Sequence, residues 1–486
     1  MSRSRRRRPL AWPAVALAAA LVLVASACSG SSGGEGPDDV DPEAVACPVD
    51  ALDGTTSPTE VVLWYQLSGR AAETLEAMVE QYNASQSRVR VRAEVQGANY
   101  DELLRAYERS IEGGDMPDIL VAEDTATRFL VDSGTVLPAQ SCFDADGLST
   151  DVFVPAAVEH YSVDGQLWPG TVSVSDLLTY YNANHLRRAG LDPADPPGTL
   201  EEVRATAEAL KAAGVSDTPV VLLMDSWLVE TQLTGSKQPI VDNDNGYGPD
   251  QTTRAVFDTD VTRKVFDWID SMTADGLLLA IPATPGTRDH YLAVGTQKAS
   301  ITIETAAAST TIQDVLGGRT PPQGGAEGID LAALDIQAAP VFGVDAPGKA
   351  QIGGNGFWIT TSGTDAQKAG AWDLIRWWNQ EPQQVRWHVE GSYLPFLSAA
   401  ADPPEVRAFW NATLAGHFLH TAYEEFTTGV DPNFSGALIG PYDEFRRSMR
   451  DALASVALQG DAPADAIARA VAETDDALTR YNDAAF

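Results

Sequence analysis

Three short motifs in this chain have the residue types of catalytic or metal sites, but each fails a structural requirement. Residues 30–34 match the G-x-S-x-G nucleophile elbow, yet they lie in a Gly/Ser-rich acidic stretch and not between a strand and a helix. Residues 343–349 match a phosphate-binding loop, except that Ala350 replaces the Ser or Thr that would bind Mg²⁺. The Asp-Asn run at 242–246 lacks calcium-loop ligands at positions 1 and 12.

A helical group of His417, His420 and Glu424 has spacing that could place metal ligands on one face. The chain holds six histidines, and no second cluster accompanies this one, so solvated or capping roles are favoured. No catalytic triad or HExxH motif is readable. We therefore expect no catalytic residue, no cofactor and no metal.

Aromatic and acidic side chains stand at the ends of predicted parallel strands. Trp64 and Tyr65 end an apolar run, and Glu123 follows another. Open α/β sheets bind ligands at the carboxyl ends of their strands. Aromatic faces stack on sugar rings and attract cations, and a carboxylate accepts hydrogen bonds from hydroxyls. These positions predict a binding cleft for a small polar solute.

The elements that hold these residues alternate between strand and helix. Residues 61–65 and 118–122 are apolar runs of strand type, and residues 89–95 alternate apolar with charged side chains. Residues 72–82 and 100–111 have helical spacing. This order predicts a parallel sheet with right-handed crossovers.

A second α/β unit is predicted to begin near Thr171. Residues 177–181 form its first strand, and a capping box opens a helix over 200–213. Another strand is expected at 352–360, and the chain is mainly helical from residue 365.

Composition and charge exclude several classes of protein. The chain has 486 residues, with 33 Lys and Arg against 68 Asp and Glu and a formal charge of −35. Its length predicts two or three domains, and 44% hydrophobic residues exclude wholesale disorder. The acidic excess argues against nucleic acid and against electrostatic attachment to anionic lipid.

The N-terminus has the features of an export signal. Residues 1–27 hold five arginines, no acidic residue and a short apolar run, which is too short to span a membrane. Small residues before Cys28 resemble a bacterial lipobox, in which the Cys is lipidated, although Ala25 stands where Leu is usual. Ordinary secretion, with Cys28 removed or unmodified, is the alternative. Without residues 1–27, the chain has 28 basic against 68 acidic residues, a net charge of −40.

The other two cysteines are Cys47 and Cys142. An even number in an oxidising compartment favours a disulfide, which would pin the end of the predicted tether to the first domain. Two free buried thiols are the alternative.

Several sequence motifs resemble those of a known protein family. They are VVLWYQLSG (61–69), MPDILVAED (116–124), YYNANHLRRAG (180–190) with PPGTLEE following, GGNGFW (353–358) and GSYLPF (391–396). On these, the whole mature chain resembles the extracellular solute-binding proteins of ABC importers that take up sugars and glycerol phosphates. The Gly-Gly and Tyr-Leu-Pro phrases look most like those of the glycerol-3-phosphate and glycerophosphodiester binders.

The resemblance implies an α/β, two-lobed periplasmic-binding-protein-like fold (type II), with a mainly parallel sheet in each lobe and a hinge between them. The implied domains are a signal peptide (1–27), a flexible tether (28–58), a first lobe (59–172 and 336–386) and a second lobe (173–335 and 387–486). The chain should cross between lobes near Thr171, Asp335 and Trp387.

The resemblance also implies ligand-binding residues, position by position. Thr305 and Arg446 depart from the family pattern, and Arg447 is an alternative to Arg446 as a phosphate partner. Together with the strand-end aromatic, the predicted set is Tyr65, Tyr100, Glu123, Ser175, Trp227, Thr305, Gly354, Tyr393 and Arg446.

The implied protein is a lipid-anchored monomer on the outer face of the cytoplasmic membrane, anchored only through Cys28. It would deliver a glycerol phosphate, a glycerophosphodiester or a sugar to ABC permease subunits and would contact no nucleic acid. A sugar receptor without phosphate recognition and a secreted hydrolase are the alternatives.

Overall fold

The computed structural model describes residues 46–284, 287, 289–317, 330–348, 350–431 and 433–484. The predicted signal peptide, Cys28 and the first part of the predicted tether lie outside the described residues.

The strands follow the predicted apolar runs closely, as in Val89–Val95, where Val89 and Val91 are buried and Arg90 and Arg92 are exposed. The strands within the described ranges are β1 (Thr59–Tyr65), β2 (Val89–Val95), β3 (Ile119–Glu123), β4 (Ser162–Val163), β5 (Gln166–Leu167), β6 (Val172–Ser175), β7 (Leu177–Asn182), β8 (Val220–Met224), β9 (Leu278–Pro282), β10 (Ile301–Thr305), β11 (Ile336–Pro340) and β12 (Gly353–Ile359).

Helices cover both sheets and form most of the C-terminal part. In chain order they are α1 (Gly69–Ser85), α2 (Tyr100–Gly113), α3 (Thr127–Asp132), α4 (Ala139–Ala145), α5 (Pro155–His160), α6 (Ala183–Arg188), α7 (Leu200–Ala212), α8 (Trp227–Gly235), α9 (Asp242–Asn245), α10 (Asp260–Ala274), α11 (Asp289–Gly295), α12 (Ser309–Leu316), α13 (Asp365–Trp378), α14 (Glu381–Gly391), α15 (Pro404–Ala412), α16 (Leu414–Thr428), α17 (Tyr442–Ala454) and α18 (Pro463–Asp483).

The first five-stranded sheet has the order β2-β1-β3-β12-β6. β1 pairs in parallel with β2 and with β3, which confirms the predicted parallel arrangement of the first three strands. β12 runs antiparallel to both of its neighbours. We call this sheet, with the helices packed on it, the first lobe.

The second five-stranded sheet has the order β11-β7-β10-β8-β9 and defines the second lobe. β8 pairs in parallel with β9 and β10, whereas β7 is antiparallel to β10 and β11. Each sheet therefore has one strand that opposes the other four, and the fold is the two-lobed, mainly parallel α/β arrangement.

The chain crosses between the lobes later than the sequence indicated. It passes from β6 to β7 through one residue, Asp176, and returns through residues 341–352, between β11 and β12. The crossings predicted near Thr171 and Asp335 are thus wrong, because β6 still pairs in the first sheet and β11 in the second. Apolar runs identify strands but do not reveal which sheet a strand joins.

The predicted crossing near Trp387 also needs correction. Arg386 on α14 donates a hydrogen bond to Gln81 on α1 (Nη1 to Oε1, 2.6 Å). Trp387 donates one to Ser173 on β6 (Nε1 to Oγ, 3.1 Å). This helix therefore packs on the first lobe, and the final crossing comes after it.

The start of the described chain is fixed to the first lobe. A disulfide joins Cys47 to Cys142 on α4, and both Cys47 and Leu52 are buried. The tether predicted over 28–58 is therefore too long, because Cys47 and Leu52 within it pack against the first lobe.

Tryptophans fill the core of the first lobe. Trp358, Trp372, Trp378 and Trp387 are all fully buried and therefore serve as packing residues. Trp377 is half-buried beside Tyr82, with 5.5 Å between ring centroids. Within the described residues, no helix has the length and apolar character to cross a bilayer.

Candidate functional site

Residues of both lobes line one cavity of about 350 Å³. The first lobe contributes the start of α2 and the end of β3, and the second lobe contributes the β8–α8 connection, β10 and α17. The lining residues are Asn99, Tyr100, Asp101, Glu123, Leu177, Leu223, Asp225, Trp227, Leu228, Ala283, Thr284, Ile303, Glu304, Arg446 and Arg450.

Local sequence explains why two of the aromatic rings stand at the cavity. Asn99 caps α2, because its side chain accepts a hydrogen bond from the Glu102 backbone N–H, so the helix begins at Tyr100. Asp225 accepts a hydrogen bond from the Trp227 N–H (3.1 Å), and α8 begins at that tryptophan.

Arg446 is the central cation of the site, and we call Glu123, Glu230, Tyr442 and Arg446 the arginine cluster. Arg446 donates from Nε and Nη2 to Glu230, at 3.0 Å to Oε1 and 3.1 Å to Oε2. Its Nη1 donates to Glu123 Oε1 at 2.7 Å, which joins the second lobe to the first. Tyr442 donates its hydroxyl to Glu230 Oε2 at 2.9 Å. This guanidinium is therefore held by two carboxylates.

Burial and charge act in opposite directions on these groups. The Glu230 side chain is fully buried, and 12% of the Arg446 side chain is exposed. Burial raises the pKa of Glu123 to about 7, although Arg446 lowers it. Burial alone would lower the pKa of Arg446, but Glu230 and Glu123 hold it well above its usual value. Arg446 therefore stays charged.

A polar layer supports Tyr100 from behind. Asn355 lies opposite Glu123 in the β3–β12 ladder and donates from Nδ2 to the hydroxyls of Tyr100 (3.1 Å) and Tyr393 (3.3 Å). Tyr393 in turn stacks on Trp387, with centroids 5.2 Å apart. Burial raises the pKa of Tyr393 to about 12, so both phenols remain neutral hydrogen-bonding groups.

The indole of Trp227 lies against the backbone of β12. A Cβ atom at Gly353 would stand 2.5 Å from Trp227 Cζ2, so glycine is needed for this contact. Trp227 Nε1 is buried and has no hydrogen-bond partner among the described residues. The next residue, Gly354, has a φ of +132°, and a Cβ there would meet the Ser173 carbonyl oxygen at 1.8 Å. Gly354 thus permits close strand pairing.

Four of the nine predicted site residues line the same cavity: Tyr100, Glu123, Trp227 and Arg446. Arg447 is exposed and is not a lining residue, so Arg446 and not Arg447 faces the cavity.

The other five predicted residues have different surroundings. Tyr65 turns toward α1, where its hydroxyl donates to Glu76 (2.5 Å), and Tyr393 lies behind Tyr100. Ser175 pairs with Gly353, and Thr305 caps the turn after β10 by accepting from Ala307 N–H. These four and Gly354 are not among the lining residues.

Sequence reasoning missed Glu230 and Asn355 as members of the site. Glu230 lies in α8, whose neighbours Leu228, Val229, Thr231 and Gln232 are all buried. A single acidic residue in such an apolar helix is a detectable signal, because a buried charge requires a partner. The partner, Arg446, is 216 residues away in the chain.

A second pair of buried carboxyl groups lies outside this cavity, and we call Asp176 and Glu425 the crossover acids. Asp176 is the residue between β6 and β7, and Glu425 Oε2 accepts from the N–H of Val341 on the second crossover (3.4 Å). The two carboxyl oxygens of Asp176 and Oε1 of Glu425 have no hydrogen-bond partner in the part of the chain that the structure describes. Burial raises the pKa of each well above its usual value, and Asp176 raises that of Glu425 further.

No group of three or more His, Cys, Asp or Glu side chains in the described ranges is arranged to hold a metal ion. His420 instead stacks on Trp410, with ring centroids 4.6 Å apart.

Comparison with known proteins gives one family and many structural relatives. Residues 77–413 match the family described as bacterial extracellular solute-binding protein. The sn-glycerol-3-phosphate-binding periplasmic protein UgpB of Yersinia pestis is 23% identical over 432 residues, which cover 88% of this chain and 94% of that protein.

Solved structures of other proteins share the fold. UgpB from Mycobacterium tuberculosis in complex with glycerophosphocholine has a TM-score of 0.67 and 16% identity, covering 88% of this chain and 100% of its own. The cyclic alpha-maltosyl-1,6-maltose binding protein from Arthrobacter globiformis has a TM-score of 0.64 and 19% identity, covering 87% and 100%. At these identities the likeness shows the two-lobed fold.

Proposed function

Since the chain belongs to the bacterial extracellular solute-binding protein family, we propose that it captures a small polar solute in the cavity between its lobes. It is the solute-binding component of an ABC importer. The observation that carries the proposal is the cavity itself, lined by Tyr100 and Glu123 from one lobe and by Trp227 and Arg446 from the other. A ligand held by both lobes favours their closed arrangement over an open one.

The chemistry of the lining suits a hydroxylated molecule. Glu123, Asp225 and Glu304 offer carboxylate oxygens to hydroxyl donors. The faces of Trp227 and Tyr100 offer apolar surface for the ring or carbon chain of a solute.

Two ligand classes are candidates. The relatives include proteins named for glycerol 3-phosphate and a structure with glycerophosphocholine, and Arg446 is a cation of the type that holds a phosphate. Another relative is named for a cyclic maltosyl sugar, and the carboxylates and aromatic rings of this cavity suit sugars.

We extend the proposal to the protein's place in the cell. The mature chain is anchored by lipid at Cys28 outside the cytoplasmic membrane, works as a monomer and hands its solute to permease subunits. It breaks no bond in the solute, so it is not an enzyme. The supporting observations are the lipobox-like residues before Cys28 and the family of binding proteins. Mass spectrometry of the membrane-bound native protein should find a diacylated Cys28 at the N-terminus.

The ligand proposal is tested by thermal shift and calorimetry with maltose, trehalose, glycerol 3-phosphate and glycerophosphocholine. A ligand at 100 times its Kd adds about 2.7 kcal/mol to the free energy of unfolding. Trp227→Ala should weaken binding of the active ligand at least tenfold, because the variant lacks the aromatic face at the cavity. Trp377→Ala removes a half-buried indole outside the lining and serves as the matched control.

Two outcomes would contradict the proposal. If Trp227→Ala binds as tightly as the parent protein, the solute does not occupy this cavity. If the bound solute is recovered as a hydrolysis product, the protein is a hydrolase.

A further inference from the structure

The guanidinium of Arg446 is already occupied in a way that disfavours a phosphate group. Its Nε and Nη2 form a two-point contact with the two oxygens of Glu230, and its Nη1 contacts Glu123. The two-point carboxylate contact is the same geometry that arginine uses to hold a phosphate. Glu230 therefore fills the position that a phosphate would take on the Nε–Nη2 edge of the guanidinium.

The carboxylate that occupies Arg446 has no access to water. Its side chain is fully buried, and its other neighbour is the Tyr442 hydroxyl. An anion that displaced Glu230 would leave a buried carboxylate without a cation, which is strongly unfavourable. An anion that bound beside it would add to the negative charge of two carboxylates around one guanidinium.

The rest of the lining supplies one further cation, Arg450, against the three carboxyl groups of Asp101, Asp225 and Glu304. Arg450 is the other arginine among the lining residues, and its Nη2 is 3.8 Å from Asp101 Oδ2. Asp225 and Glu304 add two more carboxyl groups to the wall. A neutral polyol meets no such repulsion, because its hydroxyls can donate to these oxygens.

We propose that Glu230 is a specificity-determining residue that occupies Arg446 and thereby makes the cavity select uncharged polyhydroxylated solutes over phosphate monoesters. The inference rests on the proposed function, because it assigns the solute class of the same cavity. Glu230 acts through Arg446, so its predicted effect is a change in which ligands bind.

The test compares Glu230→Gln with the parent protein by calorimetry, using glycerol 3-phosphate, inorganic phosphate, maltose and trehalose as titrants at pH 7.5. Glu230→Gln keeps the shape of the side chain but removes its charge, so Arg446 becomes available to an anion. The variant should bind glycerol 3-phosphate and inorganic phosphate at least tenfold more tightly than the parent protein. Glu425→Gln is the matched control, since Glu425 is also buried but lies at the crossover, and its anion affinities should not change.

A second variant guards against a folding defect in Glu230→Gln. Glu123→Gln removes the carboxylate that contacts Arg446 Nη1. The Glu123 side chain is 26% exposed, more than that of Glu230, so this variant should raise anion affinity by a smaller factor. Gain of anion binding in either folded variant supports the role of Glu230 and Glu123 in neutralising Arg446.

Two results would overturn the inference: tight glycerol 3-phosphate binding by the parent protein, or anion affinity that stays constant or falls in both variants. Failure of every titrant to bind the parent protein would count against the proposed solute set. The anion affinity of the variants would still decide the role of Glu230.

Discussion

The arginine cluster and the crossover acids bury the same kind of side chain in two different electrostatic settings. Glu230 is fully buried but has Arg446 and the Tyr442 hydroxyl as partners. Asp176 is equally buried, and neither of its carboxyl oxygens has a hydrogen-bond partner in the described ranges. Arg446 and the Tyr442 hydroxyl offset the burial of Glu230, whereas burial raises the pKa of Asp176 well above its usual value.

The two groups of acidic side chains contribute differently to the molecule. In the arginine cluster, charges hold the two lobes together through Glu123 and set the chemistry of the cavity. At the crossover, the acids lie where the chain passes between lobes, and neither the Asp176 carboxyl oxygens nor Glu425 Oε1 has a hydrogen-bond partner among the described residues. Changes in the two regions should therefore have opposite signs in stability measurements.

The largest effect should come from removing the cation of the arginine cluster. Arg446→Ala leaves Glu230 buried without a partner, and loss of one member of a buried ion pair costs about 3–5 kcal/mol. Urea unfolding at pH 7.5 measures the change. Arg450→Ala is the control, because its 3.8 Å contact with Asp101 is partly exposed and should contribute less than about 1 kcal/mol. Similar stability of the two variants would show that Glu230 does not depend on Arg446.

A smaller effect of opposite sign is expected at the crossover. Asp176→Asn keeps the size of the side chain but cannot ionise, so it should raise the free energy of unfolding at pH 8 by more than about 1 kcal/mol, since each pKa unit gained on folding corresponds to about 1.4 kcal/mol. Asp195→Asn, at an exposed position, should leave stability unchanged. A destabilised Asp176→Asn would indicate that the carboxylate has an unseen partner, contrary to the comparison.

The raised pKa values of the crossover acids also predict how stability depends on pH. Because the folded state raises the pKa values of Asp176 and Glu425, it binds more protons than the unfolded chain above their usual range. Their contribution to stability is therefore present at low pH and lost as pH rises. The stability gained by Glu425→Gln over the parent protein should grow from pH 5 to pH 8 in thermal scans, and a constant difference would contradict the raised pKa values.

The smallest effect should be seen at Glu123, which belongs to the arginine cluster but is partly exposed. Glu123→Gln should change the free energy of unfolding by less than about 1 kcal/mol, because the Glu123 side chain is partly exposed to solvent and Glu230 continues to hold Arg446. Urea unfolding beside Arg446→Ala gives the comparison. If Glu123→Gln lost as much unfolding free energy as Arg446→Ala, the main partner of Arg446 would be Glu123 in the first lobe.

Local patterns in the sequence were sufficient for much of the fold. The runs at β1 and β3 and the alternation in β2 predicted three parallel strands, and the structure has them. The sheet to which β11 belongs was not predictable, since its partner β7 lies more than 150 residues earlier and pairs through backbone groups that carry no sequence signal.

The candidate site was predictable where a residue ends an element and not where it depends on distant packing. Glu123 at the end of β3 and Trp227 at the start of α8 line the cavity. Tyr65 also ends a strand, but Glu76 on α1 takes its hydroxyl. The contact of Glu230 with Arg446 requires α8 and α17 to be neighbours, which neither segment reveals alone.

The disulfide between Cys47 and Cys142 determines where a pulling force on the N-terminal end would enter the fold. The bond connects a position 12 residues before β1 to α4, across a sequence separation of 95. Tension along the preceding chain would pass through the sulfur atoms into α4 and would bypass β1, the strand between β2 and β3. Under reducing conditions the same tension would act on β1 directly, so the bond protects the first sheet from mechanical unzipping.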